Sequence, residues 1–221
     1  MQQTTVSHRR RRRSRRARRR PAALAVCALA VLAAVLTAAH FLRTPETVQL
    51  PDYVDPQLLS VNPYSRPGDA LERVRGVVIH YVGNPGTSAQ ANRNYFESLS
   101  SGAEETYASS HFIVGLEGEV IQCVPLDEIA YASNSRNSDT VSIEVCHPDE
   151  SGQFSPVTYG RVVELTAWLC RTYRLSPDEQ VIRHYDVTGK VCPKYYVEHP
   201  ETWDAFRADV AAEIERQKSD P

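Results

Sequence analysis

Residues 76–82 read Gly-Val-Val-Ile-His-Tyr-Val, and this stretch decides the fold. The apolar run at 77–79 is typical of a strand that is buried on both faces, in a sheet covered by helices. His80 follows this run directly. A lone histidine there is either a satisfied core residue or a ligand that the strand presents at its end.

The segments around this strand alternate between helical and strand periodicity. Ser88 is a suitable N-cap for a helix at 88–100, and Glu117-Gly118 is a hairpin signal between two strands. Further strands are predicted at 111–116, 119–125, 140–146 and 181–184, and further helices at 157–173 and 200–218. The pattern predicts an α/β fold, a single domain with a central mixed β-sheet flanked by helices.

The N-terminal part of the chain has a different composition. Residues 8–20 contain ten arginines, and the 21 residues at 22–42 carry no formal charge. Roughly 20 apolar residues suffice to cross a bilayer as a helix. We therefore expect a transmembrane helix before the fold, with a cytoplasmic Arg-rich tail at 1–21, a span at 22–42, a linker at 43–72 and the folded domain at 73–217.

The apolar run has two interpretations. A signal anchor would stay in the membrane, and the positive-inside rule would then place the N-terminus in the cytoplasm and the domain outside. A signal peptide would instead be cleaved near residues 37–39, which would release the domain as a secreted protein. The length of the run and the lack of a clean small-x-small site favour the single-pass anchor in the cell membrane.

The N-terminal part of the chain and the remainder carry net charges of opposite sign. Of its 25 Lys and Arg residues, 11 lie within residues 1–43, which leaves 14 against all 27 acidic residues and a formal charge of −13 for the remainder. So acidic a domain argues against nucleic acid as its partner. The arginine block is explained by membrane topology. The sequence does not fix the oligomeric state.

A second segment, residues 183–193, reads Arg-His-Tyr-Asp-Val-Thr-Gly-Lys-Val-Cys-Pro. The Thr188-Gly189 turn lets the chain double back, so that His184 and Cys192 can reach one metal ion together with His80. Imidazole nitrogen and thiolate sulfur are preferred zinc ligands, and three protein ligands leave the fourth position open, as in catalytic sites. The Lys190 ammonium would help to stabilise the thiolate.

Glu144 lies within an otherwise apolar strand. It either points to solvent from an edge strand, or it is a buried general base whose pKa desolvation raises. Asp186 is a candidate to orient His184, and the role of His111 stays open. The remaining cysteines of the domain lie in apolar stretches and are either buried thiols or, outside the cell, partners in one disulfide: Cys123, Cys146 and Cys170.

Together these motifs resemble the zinc-dependent N-acetylmuramoyl-L-alanine amidases of the bacteriophage-lysozyme and peptidoglycan-recognition-protein types. The resemblance covers residues 73–210 and depends on four pieces in order, at 78–81, 110–112, 141–144 and 184–193. It implies a Zn²⁺ cofactor held by His80, His184 and Cys192, with Glu144 as catalytic acid/base and Lys190 as the group that stabilises the oxyanion.

The implied activity is hydrolysis of the amide between N-acetylmuramic acid and L-alanine, with peptidoglycan as the substrate. Members of the bacteriophage-lysozyme type carry a tyrosine directly before the histidine equivalent to His111. Here that residue is Ser110, which favours the glutamate-dependent variant. Two alternatives stay open: a peptidoglycan-binding module on the same fold that does not cut, and a structural protein of the envelope.

Overall fold

The computed structural model describes residues 48–219 of the chain. The predicted transmembrane helix at 22–42 lies outside the described residues. Within residues 48–219, no helix combines the length and the apolar character that a bilayer span requires.

A six-stranded mixed sheet forms the centre of the domain, with strand order β1-β4-β3-β5-β2-β6. β3 and β4 are antiparallel, and the other neighbouring pairs are parallel. This confirms the predicted α/β fold with a mixed sheet. The strands are β1 (Val54–Pro56), β2 (Gly76–Tyr81), β3 (Phe112–Val114), β4 (Val120–Gln122), β5 (Thr140–Val145) and β6 (Val181–Arg183).

Helices cover both faces of the sheet. The helices are α1 (Ala89–Ser98), α2 (Pro156–Tyr173), α3 (Pro177–Gln180), α4 (His184–Thr188), α5 (Lys194–Glu198) and α6 (Pro200–Ser219). One face of the sheet packs against α2 and α6 through a large apolar cluster, and the other face packs against α1 through a smaller one. Short 3₁₀ turns occur at Leu99–Ser101 and Asn134–Arg136.

Capping residues explain where the two helices nearest the sheet begin. The Ser88 hydroxyl accepts from the Ala91 amide at 3.2 Å, as predicted for an N-cap. Ser155 accepts from the Thr158 amide in the same way, and Pro156 occupies the first turn of α2. Both helices therefore start where the sequence places their caps.

One feature of the fold differs from the sequence expectations, and the structure decides two alternatives that the sequence left open. Part of the segment predicted as a linker packs on the domain, since β1 pairs with β4 and Leu59 and Leu71 are buried. β5 is a central strand, buried along nearly its whole length, and not an edge strand. The three cysteines Cys123, Cys146 and Cys170 are buried and unpaired, so the disulfide alternative is wrong for them.

Candidate metal centre

Two adjacent central strands place His80 and Glu144 side by side. β2 and β5 are parallel, and their register pairs these two residues. Their neighbours Ile79 and Ile143 point into the cluster under α2 and α6. Because side chains alternate along a strand, His80 and Glu144 both point to the opposite face, near the carboxyl ends of the two strands.

A tight loop returns Cys192 to His184. α4 is capped by Gly189, whose φ of 77° lies in the left-handed region that glycine adopts without steric penalty. The Tyr185 amide then donates to the Cys192 carbonyl at 2.9 Å. The chain doubles back as the sequence predicts, but His184 opens α4 and does not end the preceding strand.

The three predicted ligands converge. His80, His184 and Cys192 are all buried, and one ligand atom from each lies within 4.8 Å of the others. The Cys192 Sγ is 3.9 Å from His80 Nδ1, and the two imidazole centroids are 4.5 Å apart. These three residues could therefore hold one metal ion.

Glu144 lies against this cluster. Its Oε1 is 3.8 Å from His80 Nδ1, and its side chain is 18% exposed. Its Oε2 is buried and has no hydrogen-bond partner among the described residues. A buried carboxylate oxygen without a donor is costly. A divalent cation and its solvent would relieve this cost, so the donor set fits a metal ion.

Burial sets the protonation state of these groups. It lowers the pKa of His80 well below its usual value and lowers that of His184, so both imidazoles are neutral, as metal ligands must be. Burial raises the pKa of Glu144 to about 8. It also raises the pKa of Cys192 to about 12, with a further contribution from the Glu144 carboxylate.

Lys190 is the nearby positive charge. It is exposed on the loop between His184 and Cys192. Its ammonium lowers the pKa of both candidate ligand histidines, of Glu144 and of Cys192, so its charge acts on all four groups. Lys190 lowers the pKa of the Cys192 thiol, as the sequence predicts. Desolvation of Cys192 has the larger and opposite effect, so the pKa is raised overall.

Asp186 and His111 have structural contacts. Asp186 pairs with Arg183 at 2.8 Å and accepts from its backbone amide, which caps α4, so it does not orient His184. His111 accepts at Nδ1 from the Ser142 amide at 3.0 Å, and its Nε2 donates to the Glu128 carbonyl at 3.0 Å. Both ring nitrogens of His111 are therefore occupied within the core.

The loop after Tyr131 contributes contacts that the sequence motifs did not reveal. Ser133 Oγ lies 3.2 Å from His80 Nε2, and Asn134 Oδ1 lies 3.1 Å from His184 Nε2. In the sequence, these residues are visible only as part of a polar run before β5 that includes Ser133, Asn134 and Asn137.

Comparison with known proteins shows the family to which this chain belongs. A family model described as N-acetylmuramoyl-L-alanine amidase matches residues 70–195, which is more than half of the chain. The chain belongs to the N-acetylmuramoyl-L-alanine amidase family. The resemblance seen in the sequence motifs is confirmed, and the matched region contains His80, Glu144, His184 and Cys192.

Individual relatives agree with this assignment. The amidase-family chain is 36% identical over 171 residues to a probable N-acetylmuramoyl-L-alanine amidase of Bacillus licheniformis, covering 72% of this chain and 47% of the relative. It is 33% identical over 164 residues to the N-acetylmuramoyl-L-alanine amidase CwlL of Bacillus licheniformis, covering 69% and 45%. The chain thus spans about half the length of the curated relatives it matches.

The fold also matches a solved structure. The catalytic domain of XlyA aligns with a TM-score of 0.59 and 25% identity, covering 71% of this chain and 98% of that domain. Nearly all of the solved domain therefore has a counterpart in the described residues of this amidase-family chain.

Proposed function

We propose that this domain is a zinc amidase that hydrolyses the amide bond between N-acetylmuramic acid and L-alanine in peptidoglycan stem peptides. The observation that carries the proposal is the convergence of two imidazoles and one thiol within 4.8 Å, beside a buried carboxylate. Membership of the family and the names of the Bacillus licheniformis relatives support the same bond.

The chemistry of the ligands selects the metal. His80, His184 and Cys192 offer two nitrogens and one sulfur, a set that suits Zn²⁺, and three protein ligands are typical of catalytic zinc sites. When bound, zinc supplies a Lewis acid that polarises a carbonyl oxygen and makes water more acidic. Burial of the three side chains keeps bulk solvent and competing ligands away.

Glu144 transfers a proton from the attacking water to the leaving amine. Its pKa of about 8 means that both protonation states are accessible near neutral pH, as a group that acts first as base and then as acid requires. Glu144 takes a proton from the attacking water as the water oxygen bonds to the carbonyl carbon. The carbon–nitrogen bond then breaks, and Glu144 gives that proton to the amine nitrogen of L-alanine.

Lys190 stabilises the charge that develops on the carbonyl oxygen. Its positive charge acts on Glu144, and its side chain is exposed so that a substrate can reach it. A fixed positive charge beside a developing oxyanion lowers the barrier without moving during the reaction.

The test compares two carboxylate variants of the full-length protein purified in detergent. Glu144→Gln should lower the rate of stem-peptide release from muropeptides by about 10²–10⁴-fold, while its zinc content stays that of the wild type. Glu179→Gln, an exposed carboxylate before β6, should leave both unchanged. Zinc-loaded wild-type protein that binds muropeptides without releasing peptide would instead establish a binding module.

We further propose that the domain is held outside the cell at the membrane by residues 22–42. The arginine block followed by 21 uncharged residues supports this. Protein expressed in a bacterial host should sediment with membranes, resist extraction by high salt, and be digested by protease added to intact spheroplasts. Recovery of a shortened chain in the culture medium would show the cleaved signal instead.

A further inference from the structure

The loop at residues 132–137 is fixed from within. The Asn137 Oδ1 accepts from the amides of Ala132 and Ser133, at 3.1 and 2.6 Å. Asn134 adopts a φ of 51°, a left-handed conformation that asparagine tolerates better than most residues. The Thr140 hydroxyl donates to the Arg136 carbonyl at 2.6 Å and joins the end of the loop to β5. These contacts fix the backbone that carries two consecutive side chains, Ser133 and Asn134.

Those consecutive side chains contact the two ligand imidazoles at the same ring position. Ser133 is buried, and its Oγ is 3.2 Å from His80 Nε2. The Asn134 Oδ1 is 3.1 Å from His184 Nε2. A carboxamide oxygen only accepts, so Nε2 of His184 carries the hydrogen and donates it to Asn134. The lone pair of His184 is then on Nδ1.

His80 has the matching arrangement. Its Nδ1 faces the Cys192 Sγ at 3.9 Å and the Glu144 Oε1 at 3.8 Å, on the metal side of the ring. The Ser133 hydroxyl oxygen can accept, which lets Nε2 carry the hydrogen and leaves the Nδ1 lone pair toward the cluster. The Asn134 oxygen thus gives His184 the tautomer that ligation through Nδ1 requires, and the Ser133 hydroxyl allows the same tautomer for His80.

We propose that Ser133 and Asn134 are positioning residues that fix the tautomer and the orientation of His80 and His184 for zinc. This inference rests on the zinc centre of the proposed function. Hydrogen-bond acceptors on the outer nitrogen of a ligand histidine fix its ring and raise its basicity, and their loss typically weakens metal binding by about 10–100-fold. The loop thus holds the two ligand rings ready before the ion arrives.

The two side chains can be removed without breaking the loop. Ser133→Ala removes one acceptor from a buried position. Asn134→Gly removes the other and still permits the left-handed φ. Asn134→Asp keeps an acceptor oxygen at the same place and serves as the conservative rescue. Ser135→Ala, at an exposed position of the same loop, is the matched control.

Zinc affinity is measured on the full-length protein by competition with a chromophoric chelator. Ser133→Ala and Asn134→Gly should each weaken zinc binding by about 10–100-fold, while Asn134→Asp and Ser135→Ala stay close to the wild type. Nitrogen-15 chemical shifts of the imidazoles in the metal-free wild type should show the hydrogen on Nε2 of both rings. In the Asn134→Gly variant, His184 should populate both tautomers.

The outcomes separate this inference from the proposed function. Wild-type protein that binds zinc, with Ser133→Ala and Asn134→Gly binding it within about twofold as tightly, would overturn the role of the loop and leave the zinc centre standing. Wild-type protein that binds no zinc would overturn both. Equal loss of affinity in Asn134→Asp and Asn134→Gly would show that asparagine acts through the backbone and not through its oxygen, which would also overturn the positioning role of its side chain.

Discussion

At the scale of single residues, the neutral state of buried histidines is the main electrostatic feature of this domain. His80 and His184 are neutral because burial disfavours their charged form, and this state suits metal ligation. His111 is neutral for the same reason but serves the core, since both of its ring nitrogens are hydrogen-bonded. The same physical effect therefore produces two different roles.

His111 should make the fold sensitive to acid. Its pKa is lowered to about 4, chiefly by burial, while an unfolded histidine takes up its proton near pH 6.5. Between these values the unfolded chain binds the extra proton, so stability falls as the pH falls, at up to about 1.4 kcal/mol per pH unit.

The measurement is the free energy of unfolding against pH for the wild type and for His111→Gln, which keeps a donor and an acceptor but cannot titrate. We expect the variant to be less stable at pH 7 and the difference between the two proteins to shrink steadily toward pH 5. A difference that stays constant over this range would mean that His111 titrates alike in both states.

At this scale the sequence predicts the three candidate ligands but not the residues that contact their outer ring nitrogens. His80, His184 and Cys192 have side chains whose chemistry is rare on apolar strands and turns, so their positions were informative. Ser133 and Asn134 are residue types common in loops, and their role depends on which imidazole nitrogen they contact. That contact exists only after β2, β5 and β6 have assembled, and local sequence does not encode it.

At the scale of elements, two parallel strands and one tight loop position the side chains of the candidate metal centre. The register of β2 against β5 places His80 beside Glu144, and the α4 loop brings Cys192 back toward His184. Apolar runs and caps predicted the longer elements well, including α2 and α6. The short helices α3, α4 and α5 were not predicted, because four or five residues complete little more than one helical turn and show no periodicity. β1 was not predicted either, because only one of its three residues, Val54, is buried.

Gly189 is the residue on which the α4 loop depends. A Cβ at this position would meet no atom within 4 Å, so substitution by alanine acts through the φ of 77° alone. Gly189→Ala should lower stability by about 1–2 kcal/mol and weaken zinc binding, because Lys190 and Cys192 follow directly. Thermal unfolding and zinc competition measure the two effects.

Gly160 supplies the control, with the opposite expected sign. It lies inside α2, and a Cβ added there would likewise meet no atom within 4 Å. Gly160→Ala should raise stability by about 0.5–1 kcal/mol and leave zinc affinity unchanged. Equal effects of the two substitutions on zinc affinity would contradict the role of the α4 loop.

At the scale of the whole molecule, the site joins parts of the chain that are far apart in sequence. His80 and Cys192 are separated by 112 positions, yet their ligand atoms lie 3.9 Å apart. A metal ion bound by His80, His184 and Cys192 would link β2 to the α4 loop, and only the folded chain brings these residues together. Zinc should therefore stabilise the fold as a ligand that the unfolded chain binds weakly.

Chelation tests this linkage. At zinc a thousandfold above its Kd, binding contributes about 4 kcal/mol, which for a domain of this size corresponds to roughly 8–16 °C in Tm. A strong chelator should lower the Tm of the wild type by this amount and leave that of Cys192→Ala almost unchanged. A wild-type Tm that does not respond to chelation would favour a purely structural role for the three residues.

The most direct test of the proposed zinc centre is the X-ray absorption spectrum of the zinc-loaded protein. We expect one sulfur at about 2.3 Å and two imidazole nitrogens at about 2.0–2.1 Å around the ion, with the sulfur lost in Cys192→Ser. A coordination shell without sulfur in the wild type would contradict a centre built from His80, His184 and Cys192.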